Sequence, residues 1–212
     1  LIMKEFKTII EDGLVEEEIK KSRFICFMKR VTSEDEARDF INKIKKEHYK
    51  ANHNCSAFIL GESMEIKRSS DDGEPSGTAG VPMLTVLENH ELTNVVAVVT
   101  RYFGGIKLGA GGLIRAYAGA VANAVKNIGV VKVKEQEGIS IIMSYSQYQE
   151  FANWRAEQGL EEFDTQFTTE VSTMVFVDKD CLEQTLASLI EFYHGKITAE
   201  KNYSRIVEIP IY

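Results

Sequence analysis

The run VVAVVTRYF (95 to 103) has no polar residue before Thr100 and no in–out alternation, so its start reads as a strand buried on both faces. The segment GGIKLGAGGL follows at once, placing Gly104, Gly105, Gly109, Gly111 and Gly112 within nine positions. Beyond it a helical pattern resumes, with Ile114, Tyr117, Ala118, Val121 and Val125 on one face and Arg115 and Asn123 on the other. The chain must therefore pass from a buried strand to an amphipathic helix through a stretch with little side chain. Such a stretch serves as a phosphate cradle, a surface for a larger polyanion, or a tight turn.

The sharpest of these answers fail on chemistry. A Walker A loop, G-x-x-x-x-G-K-[ST], needs its lysine for the terminal phosphates and its hydroxyl for magnesium, but Ala110 and Gly111 follow Gly109. A dinucleotide fingerprint needs a third glycine where this chain has Leu113 and Ile114. What survives is a helix start with free backbone N–H groups beside Arg101, Lys107 and Arg115, a set suited to an anion or a phosphodiester. A strand-to-helix turn with close helix–sheet packing is the plainer alternative.

Other polar clusters carry weaker signals. The loop RSSDDGEPSGTAG (68 to 80) places Asp71, Asp72 and Glu74 before a helix start, where carboxylates are favoured by the backbone dipole. In a Gly/Pro loop such acids are expected to be solvated or capping, and the context of Ser76 and Thr78 lacks the G-x-S-x-G elbow of a nucleophile. No catalytic residue is assigned. His53 and Cys55 share one face of a strand, but two ligands do not make a zinc site, so no metal and no cofactor is expected. Lys20, Lys21 and Arg23 form a second basic patch, fit either for phosphates or for guarding a sheet edge.

Along the chain, strands are expected at FKTII, EEEIKKS and RFICFMKRV, with Asp12-Gly13 as a hairpin turn between the first two. Ser33 and Glu36 mark a helix start, followed by strands 54 to 60 and 64 to 68, a loop 69 to 77 and a helix opening near Thr78 to Pro82. Past KVKEQEG (132 to 138) the pattern restarts as β-α-β-β-α-β, the ferredoxin-like order. Charge breaks at the same place: residues 1 to 136 balance at +1, while residues 137 to 212 sum to −8, giving the overall −7. Two α+β domains follow, 1–136 and 137–212. The three scattered cysteines suit a reducing cytoplasm, and no apolar stretch approaches the ~20 residues of a membrane span.

The segments KKSRFI (20 to 25), HNCSAF (53 to 58), RSSDDGEPSGTAGVP (68 to 82) and VVTRYFGGIKLGAGGLIRAY (98 to 117) closely resemble the IMPACT family, including its bacterial YigZ-type members. The resemblance spans essentially the whole first domain. It implies a βαβα fold with a left-handed crossover, shared with a ribosomal protein, elongation factor G domain IV and the GHMP kinases. The second domain looks like the last, ferredoxin-like domain of elongation factor G. The resemblance also implies a link to translation, although no counterpart of the N-terminal RWD domain of eukaryotic members is expected in this chain, so their coactivator partner is not carried over.

The leading expectation is thus a non-enzymatic cytoplasmic protein that binds the ribosome or structured RNA. Its contact surface would comprise Arg68, Arg101, Gly104, Gly105, Lys107, Gly109, Gly111, Gly112 and Arg115. The alternative is a nucleotide-binding enzyme of GHMP-kinase-like fold, with Asp71, Asp72 and Glu74 holding magnesium or acting as base. A protein partner on the same face is the third possibility, and no membrane role is expected.

Overall fold

A computed structural model describes residues 3–212. They form two compact units, one running to Val133 and including Glu208–Tyr212, the other spanning Lys134–Val207. The sequence division at 136/137 falls close by, but it sent the last five residues to the other side.

In the first unit, strands β2 (Gly13–Ile19), β3 (Ser22–Arg30), β4 (His53–Leu60), β5 (Ile66–Ser70) and β6 (Val95–Tyr102) form one sheet ordered β2-β3-β6-β4-β5. Every pairing is antiparallel. Strand β6 lies in the middle and its first seven residues are buried, the apolar run Val95–Val99 followed by Thr100 and Arg101. Helix α1 (Glu34–Glu47) sets Ala37, Ile41 and Ile44 against Phe58, Leu60, Val96 and Val98 on one face. Helices α2 (Gly80–Asn89) and α3 (Gly109–Ile128) cover the other, over Phe24, Cys26, Cys55, Val95, Ala97 and Val99. The Ser33 hydroxyl caps α1 by accepting from the Glu36 N–H at 3.2 Å.

Several local expectations are corrected. Asp12-Gly13 is not a hairpin turn, because β1 (Phe6–Ile9) pairs with the start of β7 (Val130–Met143) instead of β2. At Gly13 a Cβ would lie 3.1 Å from the Ile128 side chain, a close packing contact, and Asp12 accepts from the Arg30 N–H at 2.8 Å. The true hairpin joins β2 and β3 through Lys20 and Lys21, both left-handed at φ 47° and 66°. Ser69 and Ser70 belong to strand β5 and not to the loop. On α3, Ile114 is 42% exposed and Leu113 takes its place on the buried face, with Ala116, Ala120 and Ala124 bringing helix and sheet close. Residues 132 to 138, read as a break, are strand.

The second unit has the expected order: the rest of β7, α4 (Tyr145–Gln158), β8 (Phe163–Phe167), β9 (Val171–Asp178), α5 (Leu182–Phe192) and β10 (Thr198–Pro210). The sheet order β10-β7-β9-β8 is that of a ferredoxin-like βαββαβ unit. Ser144 and Gln147 form a reciprocal capping box at α4, and buried Trp154 donates its indole N–H to Ser188 Oγ at 3.1 Å.

Candidate functional site

The two long motifs meet at one end of the first sheet. Strand register sets His53 of β4 and Phe24 of β3 on either side of Arg101 of β6. All three project toward α3, because Cys55 and Val99, two residues along, are packed on that face. Arg101 is 5% exposed, so the residue read from the sequence as part of a surface is interior. Its Nη1 donates to both oxygens of Glu74 at 3.0 and 2.9 Å, and its Nη2 to Ser22 Oγ at 3.3 Å. Phe24 and Phe103 flank the guanidinium, whose carbon lies 5.6 and 5.4 Å from their ring centres.

Glu74 is correspondingly buried, which corrects its reading as a solvated loop acid. Besides Arg101 it accepts from the Tyr117 hydroxyl at 2.6 Å and faces His53 Nε2 at 3.1 Å. Burial, together with the neighbouring Cys55 and the bond to Glu74, pushes the Tyr117 hydroxyl far above its ordinary pKa, so it remains a donor. The other nitrogen of His53, Nδ1, lies 2.9 Å from the Asp72 carbonyl oxygen.

The rest of the acidic loop is fixed by backbone bonds. Asp71 accepts from Gly77, Ala79 and Gly80 at 2.9, 3.2 and 2.8 Å, and so caps α2 from outside, whose own N-cap, Ala79, has no side-chain bond to offer. Burial alone would raise the Asp71 carboxyl, and the three N–H donors outweigh it, so its pKa falls below the usual value. Asp72 accepts from the Asn54 N–H at 2.7 Å and pairs with Lys45 at 3.4 Å. Thr78 is buried and donates to the Pro75 carbonyl at 2.6 Å, while Ser76 is exposed. Cys55 is a buried thiol pushed up to about 12, first by burial, and donates to the Asp71 carbonyl at 3.0 Å. Among the described residues no cluster of His, Cys, Asp or Glu forms a metal site.

Above this interior the glycine segment is exposed. Gly104 sits on the β2–β3 turn: its N–H points to Ser22 Oγ at 3.4 Å, and a Cβ there would lie 1.8 Å from the Lys21 carbonyl oxygen. Gly105 and Gly109 are left-handed, and Gly112 packs on Leu108. Gly111 leaves room for the Arg115 guanidinium, which lies over the first turn of α3, 3.3 Å from where a Cβ would be. That turn has neither a side-chain cap nor an acidic residue. Lys20, Lys21, Lys107 and Arg115 are exposed and form no ion pair among the described residues, whereas Arg23 pairs with Glu16. The Lys20–Lys21 turn meets the glycine segment at Gly104. A cleft of about 430 Å³ opens beneath it, lined by His53, Glu74, Arg101, Phe103, Lys107 and Leu113. Arg68 lines a different cleft.

Sequence reasoning missed Ser22 and Tyr117 as members of the buried network. A tyrosine among alanines on a helix face was the available signal, because a buried phenol needs an acceptor.

The Impact N-terminal domain model matches residues 20–125, and a domain of unknown function, DUF1949, matches residues 141–196. An IMPACT family member of Haemophilus influenzae is 36% identical over 187 residues, covering 87% of this chain and 91% of its own. The chain belongs to the IMPACT family. Other members include YvyE of Bacillus subtilis, 57% identical over 63% of this chain, and YigZ of Escherichia coli, 44% identical over 54%. The chain spans 61% of the former's length and 57% of the latter's. A solved structure of a hypothetical protein shares the fold at 30% identity and a TM-score of 0.60, covering 95% of this chain and 99% of that one. Both motifs of this IMPACT-family chain lie within the matched residues 20–125, so the buried network and the surface above it are parts of the family domain.

Proposed function

We propose that this chain is a non-enzymatic, translation-associated regulator of the cytoplasm that binds ribosomal or other structured RNA through the exposed face of its first unit. One observation carries the reading: Lys107 and Arg115 lie exposed and without carboxylate partners at the uncapped start of α3, and the turn of unpaired Lys20 and Lys21 meets the chain at Gly104 just before it. Unpaired cations and free backbone N–H groups are what a phosphodiester backbone requires, and they position RNA without reading its sequence. The family's link to translation supports the partner class, and the free thiols of Cys26, Cys55 and Cys181 suit a reducing compartment. The competing enzymatic reading is less well supported, because its acids are engaged: Asp71 by three N–H groups, Asp72 by Asn54 and Lys45, Glu74 by Arg101, Tyr117 and His53.

Filter binding to ribosomal RNA across a salt series tests the proposal. Affinity is expected to fall steeply with salt, and Lys107→Glu to weaken binding across RNA sequences while lowering the salt slope by about 1. A pull-down before and after ribonuclease should lose its partner on digestion. Salt-independent binding, or a protein partner that survives the nuclease, removes the proposal.

A further inference from the structure

The cleft between α1 and β5 is built differently from the rest of the surface. Arg38, Asn42 and Lys45, spaced i, i+4 and i+7, line it from the helix with Ile41. Across from them, β4 and β5 supply Ser56, Phe58, Arg68 and Ser70, paired Ser56 with Ser70 and Phe58 with Arg68 on the α1 face of the sheet. The volume is about 240 Å³, and none of the lining residues is acidic.

Two features make this a site and not a scatter of surface charge. First, Ser56 is 5% exposed, yet no protein group bonds its hydroxyl among the described residues, and the residue lines the cleft. The residue is buried but its hydroxyl is still reached from the cleft, so at the floor of a cationic cleft it is free to bond a ligand oxygen. Second, the cations are held in place by acids that do not line the cleft. Glu34 is 3.0 Å from Arg38 and 3.6 Å from Arg68, and Asp72 is 3.4 Å from Lys45. Arg38 also stacks over Phe58, 5.7 Å from its ring centre. Three cations against two carboxylates leave one positive charge for an occupant.

We propose that this cleft binds a phosphate group, with Arg38, Lys45 and Arg68 opposing its charge and Ser56 donating from below. Tetrahedral oxygens accept several donors at once, and charge-assisted bonds from guanidinium are the strong ones. The site is separate from the Lys107 surface and does not rest on it. The phosphate can come from an RNA backbone or from a small phosphorylated molecule, and the two sources can be separated.

The test is a titration of inorganic phosphate into the isotope-labelled full chain at constant ionic strength, followed by amide resonances, with chloride as control. Saturable shifts at Asn42, Ser56, Arg68 and Ser70 are expected, unchanged in Lys107→Glu. Affinity should fall at least about tenfold in Ser56→Ala and in Arg68→Gln, the second being an exposed change that preserves folding. Shifts no larger than those with chloride, or equal affinity in both variants, overturn the proposal. In a second arm, single-stranded RNA that displaces phosphate from these amides assigns the group to an RNA backbone. Phosphate shifts that persist at saturating RNA assign it to a free phosphorylated molecule.

Discussion

Arg101→Met is the most informative perturbation of the buried network. In the native chain the Glu74 side chain is 3% exposed, and its charge is balanced by Nη1 of Arg101 at 3.0 and 2.9 Å. Methionine fills much of the same space but leaves the carboxylate with only Tyr117 and His53, and takes the Nη2 donor from Ser22. Removing one partner of a buried ion pair costs about 3–5 kcal/mol, because the remaining charge stays out of water. For a unit of this size that is a fall in Tm of roughly 10–20 °C. Adding Glu74→Gln to Arg101→Met removes the orphaned charge and should return about 1–2 kcal/mol, the signature of coupled residues in a double-mutant cycle. Urea titration of Arg101→Met, of Glu74→Gln alone and of the double variant gives the energies, and hydrogen exchange across Asp71–Ala79 and Val95–Tyr102 shows where protection is lost. A loss below about 1 kcal/mol, the scale of an exposed pair, would refute the assignment of Arg101 and Glu74 as the interior tie between loop and sheet.

Gly104→Ala pushes a Cβ to 1.8 Å from the Lys21 carbonyl, so the turn must move; stability should fall by about 1–3 kcal/mol in denaturant titration, with RNA affinity falling alongside. Asp71 has a depressed folded pKa, so its contribution is present above the ordinary carboxylate value and lost as pH falls through the lower folded one; exchange of the Gly77, Ala79 and Gly80 amides should accelerate below about pH 4. Thiol titration of the native chain should show one fast group, exposed Cys181. Cys55, pushed to about 12, and fully buried Cys26, pushed up by burial, should react only on unfolding.

Elements with strong periodicity were legible in the sequence. The Ala37–Ile41–Ile44 stripe, the unbroken run of β6 and the βαββαβ order of the second unit are set by burial, and burial leaves a pattern in the residues themselves. Strand partners were not legible. Asp12-Gly13 has the composition of a hairpin turn, yet its glycine answers to Ile128, a contact more than a hundred residues away. The sorting of charged residues was equally hidden: Arg101 and Arg115 both flank the glycines, and only the register beside Phe24 and His53 turns the first inward. Arg68 was grouped with Lys107 by motif, but β5 carries it to the cleft beside α1.

The Lys20–Lys21 turn bears on how such a chain can vary over time. Its two residues occupy left-handed backbone while β2 and β3 are paired from Ile19 and Ser22 outward. Exchange of either lysine alters charge, and glycine or asparagine there eases the left-handed backbone the lysines already carry. Insertion or deletion of a single residue instead slides β3 by one, turning Phe24, Cys26 and Met28 away from α3 and carrying Ser22 off Arg101 and Gly104. Natural variants of this domain should therefore differ at this turn in identity more readily than in length.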